Sequence, residues 1–169
     1  MNHRLRSLAI VVAVILIDRI TKIFIRMNVS PWDTHAVIPG FFNIIHTENP
    51  GAAFGMLSES TAPWRSAVLI GVSLIVMAII GWIQWRPARA GFGDTTMLRI
   101  GFALVLGGAM GNFIDRATRG TVTDFLQFFF GSYEFPSFNV ADSAITIGAG
   151  LLILDLLRSK NKSATNEHK

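Results

Sequence analysis

Four long apolar runs, set apart by polar and turn-rich stretches, make up the pattern of this chain. Leu8 to Ile17 is uninterrupted apolar sequence after a short basic start, and the helical period carries on through Asp18, Arg19 and Lys22 to Ile25. This predicts a first helix over 5–26. A cleaved leader is the other reading of a basic start and an apolar core. No small-x-small cleavage site follows, however, and the apolar character runs past Asp18, so the run is expected to stay as a span. Ala67 to Trp85 carries no charge and, at ~1.5 Å per residue, can cross a ~30 Å hydrocarbon core. Trp64 before it, and Trp82 and Trp85 at its end, suit aromatic anchors at the two interfaces. The third run, Leu98 to Ile114, is broken only by Arg99 and holds Gly101, Gly107, Gly108 and Gly111; the Gly107-xxx-Gly111 spacing allows helices to approach closely. The fourth, Ala141 to Leu157, has Asp142 at its start and Asp155 near its end.

The pattern predicts an all-α membrane protein with four transmembrane helices, as a single domain over 1–158. A polar tail over 159–169 is expected to lack structure. Composition agrees: 51% of residues are hydrophobic and only 15% charged, against about 25% charged in average soluble chains. There are no cysteines, which excludes disulfides, thiolate metal sites and a cysteine nucleophile. The net charge of +4 does not point to nucleic acid, because the basic residues sit in short clusters between apolar runs, as topology signals do. Arg4, Arg6, Arg86, Arg89, Arg99, Arg158, Lys160, Lys162 and Lys169 fall on one side, against Arg26, Arg65, Arg116 and Arg119 on the other. Both termini are therefore expected to be cytoplasmic, with connections 27–66 and 115–140 outside.

These outer connections are the long ones. Val37 to Ile45 reads as two short β-prone runs around Pro39-Gly40, so a small extracytoplasmic β-sheet is expected there. The second connection is rich in aromatics, from Phe125 through Phe128, Phe129, Phe130, Tyr133 and Phe135 to Phe138. It reads as a surface-lying aromatic segment.

In this topology the third helix ends outside near Arg116 and the fourth begins outside near Asp142, so Asp124 and Asp142 lie at one interface. Two close carboxylates do not readily both ionise, and such a pair can share one proton. The ionised member can take a proton from water while the neutral one hydrogen-bonds the carbonyl under attack. That arrangement hydrolyses peptides with neither metal nor covalent intermediate. The plainer reading is that Asp142 caps the fourth helix and Asp124 is a solvated loop residue. Asn112, Asp115 and Arg116 share a helix face at i, i+3 and i+4. Asp115 and Arg116 read most simply as an interfacial ion pair, whereas the Asn112 amide, one turn deeper, needs a partner. Asp18 and Lys22 pair at i, i+4, and Asp18 lies ~10 Å below the outer end at ~1.5 Å per residue, where ionisable groups face a bundle interior. The run Asn49-Pro50-Gly51-Ala52-Ala53-Phe54-Gly55 permits close backbone approach and could pair with a peptide by strand addition, or could be an ordinary turn.

Other chemistries find less support. Gly91-Phe92-Gly93-Asp94 matches a Gly-x-Gly-Asp signature of other membrane aspartyl proteases, but it falls in the basic cytoplasmic connection, where Asp94 or Thr95 starts a helix. His3, His35, His46 and His168 show no His-Glu-x-x-His spacing, so a zinc protease has no ligands. No serine stands at a spacing that would form a dyad with Lys22. A proton- or ion-coupled transporter would use Asp18, Asp115, Asp124 and Asp142 as a relay, yet three of the four gather at one face. A structural subunit packed through Gly107-xxx-Gly111 is the remaining alternative.

With these residues in view, the chain resembles the lipoprotein signal peptidases, the type II signal peptidases of bacteria. Asp18-Arg19-Ile20-Thr21-Lys22 is similar to that family's first block and Asn49 to Gly55 to its second. Gly107 to Arg116 is similar to the third. Val122-Thr123-Asp124-Phe125 and Phe138-Asn139-Val140-Ala141-Asp142 resemble the last two, which hold the catalytic aspartates. The resemblance implies a multi-pass bacterial inner-membrane aspartyl endopeptidase without a cofactor or metal, its active site at the extracytoplasmic face. It would cut prolipoproteins just before a cysteine carrying diacylglycerol, and it would be the target of globomycin. Asp124 and Asp142 would form the dyad. Asn112, Arg116, Asn139, Asp18, Asn49 and Gly51 would support the site or position substrate, with Lys22 and Asp115 from the same blocks beside them. The expected partners are the prolipoprotein and membrane lipid, not nucleic acid. Four spans are enough to house the site in a monomer. The helix dipole favours negative charge at Asp142, which would make it the base and Asp124 the protonated partner.

Overall fold

The computed structural model describes residues 3–31, 33–50, 64–85 and 95–167. Gly51 and the rest of its run to Gly55 lie outside the described residues, as do Arg86, Arg89 and Gly91 to Asp94. The elements in chain order are α1 (His3–Asn28), β1 (Thr34–Ile38), β2 (Phe42–Asn49), α2 (Trp64–Trp85), α3 (Thr96–Arg119), β3 (Val122–Phe130), β4 (Tyr133–Phe138) and α4 (Val140–Glu167). Each apolar run is a helix, one or more turns longer than its apolar core in most cases. The protein is mostly helical, with one small antiparallel sheet.

α3 is the centre, packing against α1, α2 and α4. It starts where Thr95, in an extended conformation, accepts a hydrogen bond from the Leu98 N–H at 3.0 Å. The same hydroxyl donates to Asp155 Oδ1 of α4 at 2.5 Å. It stops at Gly120, whose φ of 79° is open to a residue without Cβ and whose N–H reaches Arg116 O at 3.0 Å.

The glycines of α3 sit at its contacts. A Cβ on Gly107 would stand 2.9 Å from Val14 Cβ of α1, and one on Gly111 would stand 2.7 Å from Asp18 Oδ2. A Cβ on Gly108 would overlap the Ala141 carbonyl of α4. Gly101 and Gly148 meet lower on the same α3–α4 seam. Without these hydrogens-for-side-chains, neither α1 nor α4 could come close enough for their polar groups to meet.

The outer surfaces are apolar. On α1, Leu8, Val12, Leu16, Ile20 and Phe24 form an exposed stripe at i, i+4 spacing, while Val14, Asp18, Lys22 and Ile25 are buried. Charges inside and hydrocarbon outside reverse the order of a water-soluble helix and fit a lipid surround. The helices Thr96–Arg119 and Val140–Ser159 are long and apolar enough to cross a bilayer. α4 itself continues to Glu167, where a tail without structure was expected from Ser159. Residues 159–167 hold neither glycine nor proline, and extending an existing helix needs no new nucleus.

The sheet has the order β1-β2-β3-β4, all antiparallel. The first hairpin turns at Pro39–Phe41 as the sequence predicts. The aromatic run, expected to lie along the membrane surface, forms a second hairpin that doubles the sheet. Cross-strand aromatic pairs account for this: Phe42 stacks on Phe128 with centroids 4.7 Å apart, and Phe128 on Phe138 at 5.8 Å. The β2–β3 ladder carries a bulge between Ile44 and Thr47, where Ile45 and His46 together face Phe125.

The seam yields a paired expectation. Gly108→Ala should destabilise the protein by ~1–3 kcal/mol because backbone must move to admit the methyl group. Gly150→Ala, with nothing within 4 Å of its Cβ, should be neutral or stabilising by up to ~1 kcal/mol. Thermal unfolding in detergent compares the two; equal effects would show that the close approach does not matter.

Candidate active site

Asp124 is the third residue of β3 and Asp142 the third residue of α4. What joins them is Asn139, buried between the end of β4 and the start of α4. Its Nδ2 donates to Asp124 Oδ1 at 2.7 Å, and its backbone N–H donates to Asp142 Oδ2 at 3.2 Å. Its Oδ1 accepts from the Asp142 N–H at 3.0 Å. Asn139 and Asp142 thus form a reciprocal capping box, with Asn139 as N-cap. The plainer reading of Asp142 as a cap is half right: it closes the box from inside the helix, and it uses one carboxylate oxygen to do so. The other oxygen accepts from Asn112 Nδ2 at 2.7 Å. On Asp124, the second oxygen accepts from Asn49 Nδ2 at 2.9 Å.

Asn112 connects this pair to a buried charge cluster. Its Oδ1 accepts from Lys22 Nζ at 3.0 Å. The same ammonium meets Asp18 Oδ2 at 2.8 Å and Asp115 Oδ2 at 2.8 Å, and Arg19 Nη1 meets Asp115 Oδ1 at 2.5 Å. Two carboxylates and two cations balance, as buried charges must. Asp18 also caps α4 from outside, accepting the Ala141 N–H on Oδ1 at 3.0 Å. Asp18 and Lys22 therefore pair as the sequence predicts. Asp115 and Arg116 do not form the ion pair read from sequence. Neighbouring helical residues diverge by ~100°, so Asp115 turns inward to Lys22 and Arg19 while Arg116 turns to the cleft.

That cleft, about 420 Å³, is lined by Asn49, Arg116, Asp124, Asp142 and Ser143 on its polar side and by Val122, Phe135, Pro136, Phe138, Ile145 and Ile147 on its apolar side. The charges acting most strongly on the Arg116 guanidinium are Asp142 and then Asp124. Burial, reinforced by the Asp142 charge, pushes the Asp124 carboxyl up to about 7, against the hydrogen bonds of Asn49 and Asn139 and the charge of Lys22. One of the two aspartates is thus held ready to carry a proton near neutral pH. Of the residues singled out from sequence, Asp18, Lys22, Asn49, Asn112, Asp115, Arg116, Asp124, Asn139 and Asp142 converge here. Gly51 lies outside the described residues.

A second polar cluster lies on the far face of β3 and escaped the sequence reading. Glu48 accepts from Thr121 Oγ1 at 2.6 Å and from Thr123 Oγ1 at 3.0 Å, and it faces His46 Nε2 at 3.2 Å. Arg26 Nη1 donates to the Thr123 hydroxyl at 3.0 Å. Burial works to raise the Glu48 carboxyl, but the hydrogen bonds from Thr121, His46 and Thr123 and the charge of Arg119 together hold it below the usual carboxylate range. Thr121 and Thr123 stand two apart, the spacing that puts strand residues on one face; that was the only local signal for this cluster.

A model of the signal peptidase (SPase) II family matches residues 10–158. The chain belongs to the signal peptidase II family. It is 44% identical to the lipoprotein signal peptidase of Solibacter usitatus over 164 residues, 95% of this chain and 96% of that one. It is 39% identical to the lipoprotein signal peptidase of Maridesulfovibrio salexigens over 160 residues, 95% of this chain and all of that one. A bacterial membrane enzyme solved by the in meso method at 2.3 Å resolution superposes with a TM-score of 0.79 at 32% identity, covering 93% of this chain and 90% of that one. A second, at 1.9 Å resolution, gives 0.76 at 32% identity, with 90% and 92% covered. As a signal peptidase II the chain is a membrane protease, which sets the transporter and structural-subunit readings aside. The paired aspartates, Asp124 buried and Asp142 partly so, accord with the aspartic type.

Lys22 should be the costliest single residue to lose from the cluster. Lys22→Met leaves Asp18 and Asp115 with Arg19 as their remaining cation, and removing one member of a buried pair costs ~3–5 kcal/mol. Thermal unfolding in detergent should register that loss, and an unchanged midpoint would show that the cluster is not structural.

Proposed function

We propose that this signal peptidase II removes the signal peptide from prolipoproteins, cutting before a diacylglyceryl-modified cysteine with Asp124 and Asp142 as the catalytic pair. The observation that carries the reading is Asn139, which hydrogen-bonds both carboxylates at the mouth of one cleft. Asp142 takes the proton of the attacking water as that water's oxygen adds to the scissile carbonyl carbon. Asp124 donates its proton to the carbonyl oxygen, giving a neutral gem-diol. Asp142 then passes its proton to the leaving nitrogen as the C–N bond breaks, and Asp124 recovers its own from the collapsing diol. The atoms balance, and no metal or covalent intermediate enters. Asn112 and the Asn139 N–H, donating to both oxygens of Asp142, support its role as the anion. The elevated Asp124 supports its role as the acid. Arg116 stabilises the single negative charge of the pair and orients substrate, with Asn49, Asn112, Asp18, Lys22 and Asp115 supporting the site.

The chain is read as spanning the bacterial inner membrane four times with both termini cytoplasmic, working as a monomer. Exposed apolar stripes on α1, α2 and α4 support four spans, and the lysine and arginine distribution supports the orientation. The sheet and the cleft then lie at the outer face. A cysteine bearing acyl chains keeps them in the bilayer, so its peptide bond is presented at that depth. The apolar wall from Phe135 to Ile147 suits the lipid side of such a substrate.

Purified protein in detergent, given a precursor with diacylglyceryl-cysteine, should release the signal peptide. Asp124→Asn and Asp142→Asn should each lower the rate at least ~10²–10⁴-fold, the usual worth of a general acid or base. Cleavage retained in either variant would remove the dyad. The pH profile follows from Asp124: its acid form is present below about 7 and is lost as pH rises through that value. Activity should therefore fall on the alkaline side near pH 7, and a profile flat through that region would reverse the assignment of the acid.

A further inference from the structure

We infer that His46 is a positioning residue for the catalytic pair: by pinning the β-bulge of β2 to the end of α1, it sets which face of the strand Asn49 presents. The inference rests on the reading of Asp124 as a catalytic residue, and it concerns a histidine that the chemistry itself does not use.

The register makes the case. From Phe42↔Phe128 to Ile44↔Leu126 the β2–β3 ladder runs residue for residue, and from Thr47↔Asp124 to Asn49↔Val122 it runs so again, displaced by one. The surplus residue is absorbed where Ile45 and His46 stand opposite Phe125. Side chains alternate between faces along a strand, so a displacement of one exchanges the faces of everything beyond it. With the bulge, Thr47 lies opposite Asp124 and Asn49 falls on the Asp124 face, where its Nδ2 reaches Oδ2 at 2.9 Å. Were the first register to continue flat, His46 would stand opposite Asp124 and Asn49 would turn to the other face. Glu48 would then turn to the Asp124 face, adding a third carboxylate to the pair. The bulge therefore decides whether Asp124 meets an amide or an acid.

A bulge of this kind forfeits ladder bonds and needs something to hold it. His46 does so. It is 8% exposed, and its Nδ1 lies 2.8 Å from the carbonyl oxygen of Val29, just beyond α1. A carbonyl only accepts, so Nδ1 donates. Nε2 faces Glu48 Oε1 at 3.2 Å, on the far side of the bulge. Arg26, at the end of α1, holds Thr123 of the facing strand, and Phe125, opposite the bulge, packs against Ile25 and Val29. Both strands are thus referred to the same end of α1, the helix that also carries Asp18 and Lys22. On the β1 side Ile45 keeps its pairing with Thr34, so the displacement is felt only toward the site.

The test follows cleavage of a diacylglyceryl-cysteine precursor against pH for wild type, Asn49→Ala, His46→Ala and the double variant, all as full-length protein in detergent. None of these alters Asp142, Arg116 or Lys22, the charged groups acting at Asp124. Asn49 supplies one of two amide hydrogen bonds to the Asp124 carboxylate, so its loss should move the alkaline limb to higher pH. His46→Ala should move the limb the same way, and the double variant should move it no further than Asn49→Ala does. Deleting Ile45 in the His46→Ala background removes the surplus residue, so that an unbulged ladder returns Asn49 to the Asp124 face; the limb should come back to its wild-type position. His46→Asn keeps an N–H where Nδ1 stands and should hold that position throughout. A His46→Ala limb that stays put, shifts that add in the double variant, or a deletion that fails to restore the limb would each overturn the inference. Should His46→Ala not fold, recovery of folding and limb by the Ile45 deletion supports it and failure of that recovery overturns it. Cleavage by Asp124→Asn in the same series would instead bring down the catalytic reading, whatever the His46 variants do.

Discussion

The Lys22 ammonium has three N–H donors and no acceptor, and the rest of the site is oriented from that fact. Fully buried, it donates to Asp18 Oδ2 and Asn112 Oδ1 and faces Asp115 Oδ2 as an ion pair. Because the Asn112 oxygen is claimed by Lys22, its nitrogen is the end left to face Asp142. Asn139 is fixed by the same kind of reasoning. Its oxygen accepts a backbone N–H of α4, so its nitrogen faces Asp124. Two amides whose orientation is otherwise ambiguous are thus set by groups that can only donate. The polarity of the two amides around Asp124 and Asp142 descends in part from a lysine on a different helix.

Much of this could be read from the chain, and the reasons are specific. The helices were legible because lipid demands long apolar runs, and Asp18 and Lys22 announced an inward face by standing in one. Asp124 and Asp142 were legible as a pair because topology brought the two ends of their connection to one side. Asp115 and Arg116 were misread because adjacency in sequence was taken for adjacency in space, although a helix turns such neighbours apart. The aromatic hairpin was missed because a run of phenylalanines carries no strict alternation. Its strand character comes from partners on β2, which lie some eighty positions away. His46 was judged only as a metal ligand, and its contact with Val29 depends on a bulge that no local pattern records.

The energetic logic is that of a bilayer protein whose interior is more polar than its surface. Apolar helix faces add little association energy where the surroundings are equally apolar, so close packing and polar contacts carry the specificity. The glycines of α3 serve both: they let backbones touch, and by doing so they bring Asp18 within reach of the first turn of α4. Removing the close approach would remove the hydrogen bond as well. Packing and the polar network are in this sense one requirement.

The hydroxyl of Thr95, bonded at once to its own helix and to Asp155 of α4, has a mechanical consequence. Together with the Gly101–Gly148 contact and the Asn112–Asp142 hydrogen bond, it holds the α3–α4 seam at three heights. A rod held at three heights neither slides nor rolls, so this seam is the stiff keel of the molecule. α2 packs on the other side of α3, where Ile80 and Ile83 meet Leu98 and Phe102. A load passed to these helices by the surrounding bilayer meets its firmest resistance along the seam that carries Asn112 and Asp142.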